Sequence, residues 1–363
     1  MKYPVYIPQI GDKEKQFVNE ALDSTWISSK GKFITEFEEK FSKYLGIQYS
    51  ASCTNGTVAI HLALLALGIK KGDEVIVPTF TYIASVNAIK YVGATPVFAD
   101  CTKDDWQVSS ESIKNKITEK TKAILTVPLY GCPCDMDEIK EIAKQHNLKI
   151  IEDCAEAIGS EYNGEKVGTF GDIATFSFFG NKTITTGEGG MVVTNSKDLI
   201  QKVSKLKGQG LAGEKEYWHD VIGYNYRMTN ICAAIGCAQL EKVEEIIQKK
   251  IQIGNWYQDF LKGLPLKFHV SNNDKKKHTY WMNSILLDDK NMVSGLRKSL
   301  KENSIDTRPL FPCVHKMPMY FSKENFANSE EISSRGMNLP SYPLLEKKDI
   351  EFICDKIKEF LNG

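Results

Sequence analysis

Between residues 50 and 195 the sequence alternates short apolar runs with helical patterns, and nothing else in it restricts the fold as much. The runs Glu74–Val77, Pro96–Ala99, Ala123–Pro128, Lys149–Glu152, Ala174–Phe179 and Met191–Thr194 read as strands. The segments Thr57–Leu67, Tyr82–Tyr91 and Met136–His146 between them read as helices. Alternation of this kind predicts an α/β domain built on a mostly parallel sheet. In such sheets ligands bind outside the carboxyl ends of the strands. Polar residues at strand ends are therefore the first candidates for function.

The second part of the chain reads differently. Leu240, Val243, Ile247 and Ile251 fall at three- or four-residue steps and predict one long helix from Ala238 to Leu261, ended by Gly263 and Pro265. The polar run Asn272–His278 reads as a solvated loop. A strand near Tyr280–Leu287 and helices near Val293–Asn303 and Lys348–Leu361 then predict a smaller α+β domain. The expected boundary is at about residue 245, giving a large domain 1–245 and a small one 246–363. A chain of 363 residues can remove about three quarters of its unfolded surface from water. It needs no disulfide or metal to fold.

Charge and cysteine usage narrow the function classes. Lys plus Arg equals Asp plus Glu at 46 each. That balance makes no electrostatic case for nucleic acid or an anionic membrane. The nine cysteines include no C-x-x-C and no second pair at zinc spacing, so reduced thiols and no metal site are expected. The start of the chain lacks an apolar signal core, and Ala59–Ile69 is too short to span a bilayer. A cytoplasmic protein is the expectation.

Four segments carry residues with possible chemistry. Thr175–Gly190 runs an apolar strand into a polar turn with one lysine, Lys182, followed by Gly187, Gly189 and Gly190. Lysine is a nucleophile only when burial or neighbouring charge lowers its pKa, and Phe178 and Phe179 could wall it in. Taken alone, the pattern reads first as a surface lysine in a hairpin turn. In Cys53–His61 polar residues and a glycine precede an apolar helix. Free N–H groups and the helix dipole can cradle a phosphate there, although an ordinary N-cap by Thr54 or Asn55 gives the same pattern. Lys149–Ile158 ends a buried strand in two acids. Asp153 would need a cation, such as a protonated pyridine nitrogen, or would simply cap the next helix. In Val77–Ser85, Phe80 or Tyr82 could stack on a planar cofactor or belong to the core.

Each pattern is weak alone, but their combination and order are specific. A phosphate cradle, an aromatic, a strand-end acid and a strand-end Ser-x-x-x-x-Lys are the parts that a pyridoxal phosphate site requires.

At this point the sequence resembles the sugar aminotransferases of the DegT/DnrJ/EryC1/StrS family, from Tyr6 to the C-terminal helix. The strings Ser52–Leu62, Asp73–Ala84, Ile151–Gly159, Gly168–Gly190 and Gly223–Ala234 carry the likeness. The resemblance implies an aspartate-aminotransferase-like fold, fold type I of the pyridoxal phosphate enzymes. That fold has a three-layer large domain and a smaller α+β domain. It implies pyridoxal 5'-phosphate as cofactor, cycling through pyridoxamine phosphate, with Lys182 as the Schiff-base lysine. Asp153 would face the pyridine nitrogen. Ser177 and the backbone of Gly56 and Thr57 would bind the phosphate, and Tyr82 would cover the ring. Glu156 stands where many relatives carry Gln, near the phenolic oxygen. Asn225 would reach the phosphate of a neighbouring subunit's cofactor, which implies a homodimer with shared active sites.

The strings SFFGNKTITTGEGGM, YNYRMTN, RPLF and NLPSYP resemble the branch that aminates C4 of GDP-4-keto-6-deoxymannose with L-glutamate. UDP- or dTDP-4-keto-6-deoxyglucose is the alternative acceptor. Arg227, His315 and Arg308, with Lys207 and His219 behind them, are candidates for the nucleotide's diphosphate. Ser28 and Ser29 are candidates for the sugar. Relatives that remove a sugar hydroxyl carry His where this chain has Lys182, so amination is expected. A non-catalytic relative that binds ligand for regulation is the rival of another class. No G-x-G-x-x-G follows the first strand, which disfavours a nicotinamide dehydrogenase.

Overall fold

The computed structural model describes residues 1–213, 215–269 and 272–362. Helices α1 (Asp12–Asp23) and α2 (Lys32–Leu45) precede β1 (Tyr49–Cys53) and α3 (Gly56–Ala66). Then follow β2 (Glu74–Pro78), α4 (Ile83–Tyr91), β3 (Thr95–Ala99), α5 (Ser110–Lys114), β4 (Thr121–Thr126), α6 (Met136–Gln145) and β5 (Lys149–Asp153). A short hairpin, β6 (Glu161–Tyr162) and β7 (Glu165–Lys166), leads to β8 (Ile173–Ser177) and β9 (Gly190–Thr194). Helices α7 (Lys197–Lys207), α8 (Asn230–Glu241) and α9 (Val243–Phe260) complete this part.

The main sheet has seven strands in the order β1-β9-β8-β5-β4-β2-β3. Pairings among β8, β5, β4, β2 and β3 are parallel, and β9 is antiparallel to both its neighbours. Side chains alternate across the pleat. Val75, Val77, Leu125 and Ile151 face one core with α3 and α4, while Ile76, Ile124 and Ile150 face another with α6. A third cluster packs Phe33, Phe37 and Phe41 of α2 against Phe176, Phe178 and α8. The result is the expected three-layer α/β domain. Helix α3 is apolar nearly all round, and Val58–Leu64 is buried throughout. A helix with that pattern belongs inside. Its first residues, Gly56 and Thr57, line one cavity with Asp153 and Ser177, the last residues of β5 and β8.

The C-terminal part contains β10 (Leu266–Phe268), β11 (Lys276–Lys277), β12 (Asn283–Leu287), α10 (Met292–Glu302), β13 (Arg308–Pro309), α11 (Ala327–Arg335), β14 (Gly336–Leu339) and α12 (Lys347–Asn362). Strands β10-β12-β14-β13 form a separate antiparallel sheet. It packs with α9, α10 and α12 around Ile253, Tyr257, Leu296 and Ile353.

Three local expectations need correction. The single helix from Ala238 to Leu261 is two helices, broken at Lys242 with φ −113° and ψ 13°. The Nζ of Lys242 turns to the buried Glu14 carboxylate at 2.6 Å and to the Gln9 carbonyl at 2.9 Å. The 272–278 segment is not wholly a solvated loop, because β11 pairs with β6 and both Lys276 and His278 are buried. The strand expected from Tyr280 begins only at Asn283, since Tyr280 sits at φ 49°. The expected boundary at 245 falls inside α9. The start of that helix, Val243 to Ile247, belongs to the large core, and its later residues Ile253 and Tyr257 belong to the small one.

All nine cysteines are unpaired. Among the described residues no helix is long and apolar enough to cross a membrane.

Candidate active site

A cavity of about 360 Å³ opens at the carboxyl ends of β5 and β8. Asn55, Gly56, Thr57, Tyr82, Ser85, Asp153, Glu156, Ser177, Lys182 and Trp281 are among its lining. Seven of the expected residues thus converge from four stretches of chain. Asn55 caps α3, accepting the Val58 N–H at 3.0 Å on its side chain. The first turn of α3 then faces the cavity with unpaired N–H groups, beside the Ser177 hydroxyl. Helix and strand meet closely: a Cβ on Gly56 would lie 2.7 Å from Ser177 Cβ. Glycine here leaves the helix end open to a ligand.

Asp153 is the last residue of β5 and is buried. Its Oδ2 accepts the Ser85 hydroxyl at 2.6 Å and its Oδ1 accepts the Ala155 N–H at 3.2 Å. Burial raises its pKa against those bonds and the nearby Lys182. A carboxylate in that position favours a cationic partner.

Lys182 follows β8 by five residues, with a side chain 13% exposed. Burial lowers the pKa of its ammonium, opposed by Glu156 and Asp153. Glu156 Oε1 lies 3.9 Å from the Lys182 Nζ, and Glu156 Oε2 accepts the Tyr130 N–H at 2.9 Å. Burial pushes Glu156 up to about 7. The wall beside Lys182 is Trp281, whose ring centroid lies 3.8 Å from Nζ. The expected Phe178 and Phe179 do not share that role. Phe178 turns into the core against Phe37 and Phe41, while Phe179 is half exposed at the cavity mouth. Tyr82, also half exposed, stands at the mouth beside Phe311.

The other expected residues lie outside this cavity within the chain. Asn225 is exposed, in a segment bridged to Gly208. Arg227 is partly buried, and its Nε has no partner among the described residues. Arg308 has a side chain 68% exposed, with Asp306 at 3.6 Å. Ser28 is exposed, and its carbonyl accepts the Asn230 N–H. Lys207 is taken up by Glu38 at 2.9 Å and the Ser52 carbonyl at 2.8 Å, and exposed His219 contacts the Gln209 carbonyl. His315 needs correction as a substrate ligand. It is fully buried, with Nδ1 2.6 Å from Thr79 Oγ1 and Nε2 3.1 Å from Glu330 Oε1. Both ring nitrogens are used inside the fold.

Sequence reasoning missed Ser85 and Trp281. Ser85 closes the Val77–Ser85 segment, and nothing in the sequence marks it out beside Phe80 and Tyr82. Trp281 lies 99 positions beyond Lys182, and no local pattern links them.

A lysine whose pKa burial lowers, a strand-end acid lacking a full cationic partner and an open helix end beside a hydroxyl suit one kind of ligand. It is an aldehyde bearing a basic ring nitrogen and a phosphate, so the residues present fit pyridoxal phosphate. The site and fold are those of a pyridoxal phosphate aminotransferase of fold type I. The chain belongs to the DegT/DnrJ/EryC1/StrS aminotransferase family, which it matches over residues 8–358. It is 58% identical over 362 residues to GDP-perosamine synthase of Escherichia coli O157:H7, covering 99% of each chain. It is 50% identical to GDP-perosamine synthase of Vibrio cholerae, again covering 99% of each. A sugar aminotransferase structure from Streptococcus pneumoniae in its PLP-form superposes with a TM-score of 0.94 at 26% identity, covering 99% of this chain and 98% of that one.

Proposed function

We propose that this chain moves an amino group from L-glutamate to C4 of GDP-4-keto-6-deoxymannose and so makes GDP-perosamine, with pyridoxal phosphate bound at Lys182. The carrying observation is that Lys182, with a side chain 13% exposed, shares one cavity with the Glu156 and Asp153 carboxylates and the open end of α3. The 58% and 50% identities to GDP-perosamine synthases over nearly whole chains support this substrate over UDP- or dTDP-4-keto-6-deoxyglucose. They also weigh against a non-catalytic relative.

When bound, the cofactor supplies an electron sink for a carbanion next to nitrogen. The rest falls to the protein. The α3 N–H groups and Ser177 hold the phosphate. Asp153, whose carboxylate accepts the Ser85 hydroxyl, would pair with a protonated ring nitrogen. Lys182 Nζ, as a neutral amine, would take the α-proton of the donor and deliver it to the carbon on the other side of the transferred nitrogen. Glu156, pushed up to about 7, can hold a proton beside that amine near neutral pH.

Several further roles belong to the same proposal. Asn225 reaches the phosphate in a second subunit, in a homodimer with shared sites. Its exposure and its absence from the lining of its own chain's cavity support this, as do the exposed Tyr217 and Ile222 in the same segment. Arg227, with its unpartnered Nε, is the leading candidate for the substrate's diphosphate, and Arg308 is a second. Work in the cytoplasm completes the proposal.

The test is a half-reaction. L-glutamate added to the cofactor-loaded protein should convert the visible band of the aldehyde form to that of the amine form. A band unmoved by excess L-glutamate would sink the aminotransferase proposal.

A further inference from the structure

The backbone of the reactive lysine is held from two sides. Trp281 Nε1 donates to the Asn181 carbonyl at 2.7 Å, and Tyr6 Oη donates to the Lys182 carbonyl at 2.7 Å. These carbonyls flank Lys182 on its own chain. The Trp281 face also meets Nζ of Lys182. Both clamping residues come from far away in sequence, so something must hold them in turn.

Lys250 of α9 does so. It is fully buried, and among the described residues it forms no ion pair. Its Nζ donates to the Trp281 carbonyl at 3.2 Å and to the Ser341 carbonyl, and lies 5.1 Å from the centroid of the Tyr6 ring. One amine therefore touches both residues that hold the Lys182 backbone. An unpaired buried ammonium is costly, and burial brings this one down to about 7. Met or Leu would fill such a core position without that cost, but could not donate to two carbonyls.

We propose that Lys250 is a positioning residue for the reaction: it fixes Trp281 and Tyr6, and through them the carbonyls on either side of Lys182. This rests on the assignment of Lys182 as the cofactor-binding lysine. Lys182 must swing between the cofactor and the proton it moves, and a backbone shift near 1 Å at such a group costs about 100-fold in rate. The clamp sets the pivot of that swing.

The experiment compares wild type with Lys250→Met, which keeps the stem and loses the donor, and with Tyr6→Phe and Trp281→Phe. Each holoenzyme is assayed for kcat and KM with the keto sugar and L-glutamate, and by visible circular dichroism of the bound cofactor. Lys250→Met should lower kcat by about 10- to 100-fold with little change in KM, and should weaken the visible dichroic band. Its effect should not multiply with that of Trp281→Phe, because both act through one contact chain. A Lys250→Met enzyme with the wild-type band and wild-type kcat per folded site overturns the proposal, even with a lower melting temperature. Should Lys250→Met not fold, Tyr6→Phe and Trp281→Phe decide: wild-type kcat and dichroism in both overturn the clamp. If wild type itself gives no visible band with pyridoxal phosphate, the assignment of Lys182 has failed instead.

Discussion

Gly56→Ala isolates the phosphate cradle from the rest of the site. Gly56 is the first residue of α3 and its φ is not positive, so the backbone accepts alanine. The added Cβ would lie 2.7 Å from Ser177 Cβ and 3.1 Å from Ser177 Oγ. Carbon atoms in contact sit about 3.5–4.0 Å apart, so the shortfall is roughly 1 Å. Ser177 cannot easily retreat, because β8 pairs there with Gly190 of β9. The end of α3 must move, and overpacking of this size costs about 1–3 kcal/mol. Helix propensity returns up to about 1 kcal/mol to the cofactor-free protein. Expressed in cofactor binding, the strain weakens affinity by about 5- to 150-fold, at roughly 1.4 kcal/mol per factor of ten. The assay is a visible-absorbance titration of cofactor-free protein with pyridoxal phosphate, beside a thermal melt. Affinity within about twofold of wild type would refute the placement of the phosphate at this helix end.

Other substitutions separate the remaining roles. Ser85→Ala removes a 2.6 Å bond to buried Asp153. Loss of a bond to a charged group costs about 1.5–3 kcal/mol, so cofactor affinity should fall at least tenfold, and the acid limb of binding should move to higher pH. Glu156→Gln tests a pH effect on the cofactor-free protein. Burial raises the folded pKa from 4.5 to about 7, so between those values the native state holds a proton that the unfolded chain lacks. Wild-type stability from this group then falls as pH rises through that window and levels off above it. The difference in denaturation midpoint between variant and wild type should therefore shift in favour of the variant from pH 5 to pH 7.5, and a constant difference would count against it. His315→Ala deletes two buried contacts. It should lower stability by about 2–4 kcal/mol while leaving KM for the keto sugar unchanged per folded enzyme, whereas a raised KM would return His315 to the substrate site.

The large domain was legible because its strands are short apolar runs bounded by turns, and each fixes its own register by alternation. Lys182, Asp153, Ser177 and the Asn55–Thr57 turn were legible for a related reason. In a parallel sheet, strand-end residues meet at one edge, so order along the chain maps onto place in the site. Strand β1 was missed because Tyr49-Ser-Ala-Ser-Cys53 is half polar, and its edge position beside β9 is set by tertiary pairing. The break at Lys242 was hidden because apolar spacing continues across it, while the buried carboxylate that Lys242 meets there lies over 200 residues earlier. His315 misled because it lies next to a family-like string, and nothing local shows that Thr79 and Glu330 enclose it. Trp281, Tyr6 and Lys250 were invisible for the same reason: their partners are backbone carbonyls of distant residues, which leave no pattern in sequence.

The most direct test of the central claim is product mass. The protein loaded with pyridoxal phosphate is incubated with GDP-4-keto-6-deoxymannose and L-glutamate, beside Lys182→Ala under the same conditions. Wild type should yield a GDP-sugar in which an amino group and a hydrogen have replaced the carbonyl oxygen, with 2-oxoglutarate formed in equal amount, and Lys182→Ala should yield neither. An unaminated sugar from wild type, or equal product from Lys182→Ala, would contradict the account.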